Sequence, residues 1–396
     1  MDTSTPPHTP AEPVPAALRH LQRLTGSFLH EGRRIFYLHV YARPRGAGLA
    51  PPLDTIMARE SGVEGIACVD DAARAALLAL QVHAQTGAPA ALGLARDWLT
   101  FVTYMREPDG RFANFILDAT GAKNRDGLTS YLGGPWWTAR AQWALAAAWR
   151  VTGDAAYRRA ASAAPSVPVP ALKITAVRTL ALLEHYQAQP NADLHRRITA
   201  LCDALLAQRA GAGYFRDQSA RPEVALWGYH QLQAVARAGR LFARPAYLAA
   251  CAETVERLIA PAIADGFYHV YPREREPQCA YDVAPLVLGL EELYRATGTP
   301  AYRALALEGT RWLEGRNPAG VAPYDAPTGR CLDGVGRGHV NRHCGAESAI
   351  EAGFIALARD RLREPGDAMG DAVGDAASGR QDARWPHGGH GGGYTP

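Results

Sequence analysis

"TGTPAYRALALEGTRWL", residues 297–313, places a glycine and a proline two positions apart and then runs into apolar residues at helical spacing. Glycine after a helix takes up the left-handed cap, and proline in a first helical turn gives up only an N–H that has no partner there, so the phrase reads as one helix ending and the next beginning. The same signal returns as "TGAPAALGLARDWL" (86–99), "TGDAAYRRAA" (152–161) and "ARPAYLAACAETVERL" (243–258). A turn that recurs between helical segments predicts a chain built from helical hairpins. Strand-like alternation is confined to short pieces, "RRIFYLHVYAR" (33–43) and "RFANFIL" (111–117).

The helices sort into two alternating sets. The first begins near Asp70, Trp136, Ala171, Glu223, Asp282 and Gly345 and is apolar or aromatic around much of its circumference. The second begins near Val14, Pro89, Asp154, Ala192, Ala243 and Thr299 and carries arginines on one face, as in "LHRRITALCDALLAQ". Helices that are apolar all round belong inside, and those with a charged stripe face water. Six of each predict an all-α fold, an (α/α)6 toroid of six hairpins with a few short strands and loops. A closed ring is one domain, here residues 14–362, despite a length that would otherwise allow two or three.

Composition narrows the function classes. The 42 basic and 39 acidic residues are interspersed and leave a formal charge of +3, so nucleic acid is not an expected partner. The N-terminus has neither a basic nor an apolar leader segment and no long apolar run follows, which predicts a soluble, cytoplasmic protein with no membrane partner. Six cysteines without a C-x-x-C spacing read as reduced thiols. The Pro-rich residues 1–13 and the Gly/Asp/Ala-rich 363–396 read as disordered tails, the second containing His387 and His390.

Four tracts carry a resemblance. "CVDDAARA" (68–75), "DGRFANFILD" (109–118), "ARAQWALAAA" (139–148) and "CGAESAIEA" (344–352) resemble a group of bacterial helical carbohydrate-active domains, and the architecture resembles the six-hairpin glycosidases. In that group the first tract reads close to Asp-Asp-Asn-Ala-Arg-Ala; here Ala72 stands where the pattern has Asn. The resemblance implies a carbohydrate ligand, an oligosaccharide or polysaccharide fragment, held where the inner helices begin.

The first turns of those helices then supply the candidate site. Asp70 reads as the N-cap of its helix, and one cap needs only one aspartate. Asp71 falls in the first turn, where the helix dipole favours an ionised carboxylate, and is the expected general base. Glu347, ahead of an apolar helix, is the expected acid, with Asp333 in the glycine-rich loop as the second choice. Trp136, Trp137 and Trp227 offer faces for pyranose rings, one of the adjacent pair being buried and the other exposed. Arg74, Arg140, Glu223, His230, Tyr281, Asp282 and Asn341 complete the expected substrate-binding set. No H-E-x-x-H occurs, and the one H-x-x-x-H, His339 to His343 in "HVNRHCGAE" (339–347), lies in a loop without a helix to fix its spacing, so neither a metal nor another cofactor is expected.

The preferred expectation is an inverting glycoside hydrolase, inversion being favoured because a toroid cavity has room for a water between two carboxyls. A sugar epimerase or polysaccharide lyase would use a His or Tyr base, for which His230 and Tyr281 are available. A non-catalytic sugar-binding toroid working beside a glycosyltransferase is the alternative from another class. The sequence leaves the oligomeric state open.

Overall fold

The computed structural model describes residues 13–46, 51–162, 171–209, 211, 213–217, 223–273 and 275–364. Both expected tails, with His387 and His390, lie outside the described residues apart from Pro13, Arg363 and Glu364. The chain runs α1 (Ala16–Arg23), α2 (Val69–Thr86), α3 (Pro89–Tyr104), α4 (Pro135–Thr152), α5 (Ala155–Ser162), α6 (Leu172–Ala188), α7 (Ala192–Ala207) and α8 (Gln231–Leu241). It continues through α9 (Pro245–Thr254), a π-helical turn (Val255–Ile259), α10 (Ala260–Asp265), α11 (Ala280–Thr297), α12 (Pro300–Thr310) and α13 (Ala346–Arg363).

Around the ring α2 packs on α4, α4 on α6, α6 on α8, α8 on α11, α11 on α13, and α13 on α2 again, which closes the inner layer. The outer layer is α1, α3, α5, α7, the α9–α10 rod and α12. This is the expected six-hairpin toroid. The recurring turn works as its residues require: Gly87, Gly153 and Gly298 cap their helices at φ of 71, 72 and 67°. Ala243 takes φ 50° at the corresponding place in the α8–α9 turn, a non-glycine in the same left-handed region.

The inner helices approach closely because their contact faces are small. α2 and α4 meet through buried alanines, among them Ala72, Ala76, Ala144 and Ala147. At Gly353 in α13 an added Cβ would lie 2.6 Å from Leu78 Cδ2 on α2, and at Gly289 in α11 it would lie 2.9 Å from Leu232 on α8. Larger side chains at either place would open the ring.

The strands are short antiparallel pairs between helices: Thr25–His30 with Arg33–Leu38, Tyr41–Pro44 with Leu53–Ile56, Ala67–Cys68 with Phe115–Ile116, and Val224–Ala225 with Val270–Tyr271. One inner helix starts later than expected. Glu223 precedes the strand Val224–Ala225, and α8 begins only at Gln231.

Candidate functional site

The pairing of Ala67–Cys68 with Phe115–Ile116 fixes where α2 begins. Cys68 has extended backbone angles (φ −132°, ψ 156°) and its Sγ accepts from the Asp71 N–H at 3.4 Å, so Cys68 is the N-cap. Asp70 is therefore not the cap expected from its residue type. The partner strand is distant in sequence, and it sets the helix start two residues before Asp70. The first N–H groups of α2 are taken up by Asn114, whose carbonyl accepts from Val69 N at 2.8 Å and whose side chain accepts from Asp70 N at 3.3 Å. Both aspartate side chains are thereby released from capping.

They converge on Arg74, one turn further along. Its Nη2 donates to Asp71 Oδ1 at 2.6 Å, to Asp70 Oδ2 at 3.0 Å and to Glu347 Oε2 at 3.0 Å. Its Nη1 donates to Glu351 Oε1 at 2.8 Å, so one buried guanidinium binds four carboxyls from α2 and α13. One oxygen from each of Asp70, Asp71 and Glu347 lies within 4.8 Å of the other two, which is the one grouping among the described residues suited to a metal. Arg74 already donates to all three, and the guanidinium thus fills the place of a cation.

Four acidic groups against Arg74 and its neighbour Arg140 leave negative charge uncompensated, and burial decides where protons stay. Burial pushes Asp71 up to about 7; Arg74 opposes this, while Glu347 and Asp70 add to it. Burial likewise raises Glu351 to about 7, against the pull of Arg74 and Arg140. Glu347 is the most open of the cluster, its side chain 32% exposed against 6% for Asp71.

The cluster lines a cavity of about 410 Å3. Trp136, Trp137, Trp227, Tyr41, Tyr131 and Leu128 form much of the remaining wall. Trp136 and Trp227 stack at 5.5 Å and 21°, and Trp227 Nε1 donates to Glu347 Oε1 at 3.4 Å. Trp137 is buried with its Nε1 donating to the Phe112 carbonyl at 2.9 Å, whereas Trp136 is half-buried, the split expected for this pair.

Behind the indoles lies a second shell of polar groups that does not reach the cavity wall. Arg140 Nε is 3.3 Å from Asp70 Oδ1, and its guanidinium carbon sits 5.1, 5.7 and 5.3 Å from the centroids of Trp136, Trp143 and Tyr281. His230 Nε2 accepts from Arg140 at 3.5 Å while its Nδ1–H faces Gln233 Oε1 at 2.8 Å, a tautomer assigned from these partners. Burial and Arg140 both push His230 down, so it is neutral and occupied. Tyr281 is fully buried beneath Arg74, 4.6 Å from ring centroid to guanidinium carbon, and edge-on to Trp227. His230 and Tyr281 therefore do not line the cavity as expected; they support residues that do.

Four further expected residues lie off the cavity. Asp282 is fully buried, its Oδ2 accepting from Cys279 N at 2.8 Å and its Oδ1 bonding His269 Nδ1 at 2.9 Å, so it caps α11. Glu223 pairs with Arg273 at 3.2 Å beside the strand Val224–Ala225. Asp333 does not fold over a ligand: its Oδ1 accepts from Gly345 N at 2.7 Å and ties the glycine-rich loop to the start of α13. Asn341 sits in the strand pair Gly334–Gly336/His339–Asn341, its Oδ1 accepting from His343 N at 3.1 Å. In each case a backbone N–H or a salt-bridge partner outcompetes the cavity for the side chain.

Sequence reasoning missed Tyr41, Glu60, Glu64 and Asn114 on the cavity wall. Glu60 and Glu64 belong to the segment before α2 and have no periodicity to mark them, whereas Tyr41 lies in the alternating stretch 33–43, whose period does not say which face meets a cavity. Asn114 lies in one of the tracts that carry the resemblance, which was a usable signal.

No protein-family model matches the chain, and no curated protein does. Solved structures do. A sugar epimerase from a ruminal bacterium aligns with a TM-score of 0.61 at 12% identity, over 76% of this chain and 88% of its own. A D-mannose isomerase aligns at 0.62 and 9%, over 87% and 96%. An alpha-1,6-mannanase of Salegentibacter sp. HEL1_6, an inactive variant with two adjacent aspartates changed to asparagine and bound to alpha-1,6-mannotriose, aligns at 0.54 and 12%, over 74% and 90%. The fold is an (α/α)6 toroid. Its structural neighbours are toroid enzymes that act on carbohydrates, and at these identities the likeness establishes the architecture.

Proposed function

We propose that the protein is a glycoside hydrolase acting on an oligosaccharide or polysaccharide fragment bound in the α2–α13 cavity. The observation that carries this reading is the convergence of Asp70, Asp71 and Glu347 beneath an indole wall. Glycosidic bond cleavage uses two carboxyl groups in different protonation states, and this cluster separates them by burial. Asp71, held up at about 7, keeps its proton near neutrality and donates it to the leaving glycosidic oxygen. Glu347, open to the cavity and fixed by Arg74 and Trp227, acts as the carboxylate at the anomeric carbon. These roles exchange the ones expected from the helix dipole, because burial outweighs the dipole at Asp71. Asp70, held by Arg74 and Arg140, stabilises positive charge that develops on the sugar ring.

The spacing bears on stereochemistry. Asp71 Oδ1 and Glu347 Oε2 share Arg74 Nη2 at 2.6 and 3.0 Å, a closeness that favours direct displacement over an intervening water. The reading is therefore a retaining reaction: Asp71–H protonates the leaving oxygen, the C1–O bond breaks as a Glu347 oxygen bonds C1, and water then replaces Glu347 after giving a proton to Asp71. The mannanase whose adjacent aspartates were changed in an inactive variant offers a parallel to the Asp70–Asp71 pair. Incubation with a panel of neutral oligosaccharides, read by new reducing ends and by NMR of the first-formed anomer, tests the proposal. Release with retained configuration is expected, and absence of release from every member by folded protein rejects it.

An epimerase reading is favoured by the likeness to the ruminal epimerase but finds no histidine on the cavity wall among the described residues. Unchanged chain length with an altered reducing sugar in the same assay would select it.

A further inference from the structure

Resting on the carbohydrate reading above, we propose that the cavity selects uncharged glycans and rejects rings that carry a carboxylate, sulfate or phosphate. Five acidic side chains line it: Asp70, Asp71 and Glu347 on one side, Glu60 and Glu64 on the segment that precedes α2. Glu64 is buried; its Oε1 accepts from the Thr129 hydroxyl at 2.6 Å and its Oε2 from the Glu60 N–H at 3.0 Å. Burial and the neighbouring Glu60 raise the Glu64 carboxyl above its ordinary range. Tyr41 lies on the same wall, its hydroxyl pKa raised by burial and by the nearby charges of Glu60, Asp71 and Glu347.

A bound anion would need a cation to answer it. Arg74 is the one basic residue lining the cavity among the described residues; it is 1% exposed and both its terminal nitrogens are given to carboxyls. Two further cations stand behind the aromatic wall: Arg140 under Trp136, and Lys173, whose Nζ donates to the Trp227 carbonyl at 2.5 Å. What the cavity does present is apolar surface. Trp136 and Trp227 suit the C–H face of a neutral pyranose, and Leu128 and Tyr131, 74% and 45% exposed, extend that surface to the mouth. Attraction by the wall and repulsion by the carboxyls together define specificity, since discrimination needs a term against the wrong partner as well as one for the right partner.

The test is binding to the full chain, measured calorimetrically in parallel for neutral oligosaccharides (mannan, glucan, galactan and xylan fragments) and uronate oligosaccharides of matched length. At least one neutral series is expected to bind about tenfold or more tighter than every uronate series at low salt, the gap narrowing as salt screens the repulsion. A uronate oligosaccharide that binds as tightly as the best neutral one, or a gap that salt leaves unchanged, overturns the proposal. Because binding is read apart from turnover, a neutral glycan bound but not cleaved would reject hydrolysis and keep the selectivity, whereas a uronate bound and cleaved would do the reverse.

Discussion

Two inner helices of the ring begin with the same local pattern and use it differently. α2 starts Cys68-Val69-Asp70-Asp71 and α11 starts Cys279-Ala280-Tyr281-Asp282, each with a cysteine N-cap and an aspartate at the third helical position. In α11 the aspartate folds back on the cap N–H and bonds His269, which leaves it fully buried and structural. In α2 the aspartate turns away to Arg74 and the cavity. The difference lies in two neighbours. α2 has a second aspartate at position two and an arginine at position six, while α11 has Tyr281 and Pro285 there. An arginine one turn on draws the carboxyl out of its capping geometry, and the same local pattern becomes a charge cluster.

The largest expected effect belongs to the residue that makes this difference. Arg74→Gln leaves four carboxyls facing one another, and denaturant unfolding should show a loss of about 3–5 kcal/mol, the cost of breaking a buried ion pair by removing one partner. A loss below about 1 kcal/mol would mean that the carboxyls do not depend on it. Asp71→Asn should lower turnover by about 10²–10⁴-fold while unfolding is scarcely changed, since the amide keeps the shape and removes a carboxyl that burial disfavours when charged. Asp282→Ala should do the opposite: about 0.5–2 kcal/mol of stability lost with the cap, and turnover per folded molecule kept. An Asp282 variant that folds normally yet fails to turn over substrate would erase the distinction between the two helix starts.

The smallest effect is a slope with pH. Burial holds Asp71, Glu351 and Asp333 up at about 7, all three at or near the junction of α2 and α13. Groups whose folded pKa is raised bind more protons in the native state between about pH 4 and 7, so their stabilising contribution is complete below about 4 and is lost as pH rises through 7. Burial lowers His20, His39, His185 and His230, which add stability as pH rises towards the ordinary histidine value of about 6.5, so the fall in melting temperature should show between about pH 6.5 and 8. Asp71→Asn should flatten part of that fall, and Asp282→Ala should flatten another part, because Asp282 holds the His269 imidazole above its ordinary value.

The architecture was legible because a glycine cap or a proline in the next helix's first turn acts within four residues and recurs, so Gly87, Gly153 and Gly298 mark hairpins without any knowledge of packing. Asp71 and Glu347 were legible for a similar reason, as first-turn residues of inner helices. Asp70 was misread as a cap because the true start of α2 is set by Phe115–Ile116, more than forty residues away. Glu223 and Asp282 share the first-turn logic but found partners, Arg273 and the Cys279 N–H, that only the folded chain brings near. Glu60 and Glu64 lie on a connecting segment, where no periodicity ties a residue to a face.

The central claim is that Asp71, unlike its counterpart in α11, keeps a proton near neutral pH for transfer to substrate. Carboxyl 13C NMR titrations of the wild type and of Asp71→Asn test it most directly. The account predicts that the resonance missing from the variant titrates at about 7 in the wild type. A missing resonance that titrates near the ordinary aspartate value of about 3.9 would contradict it.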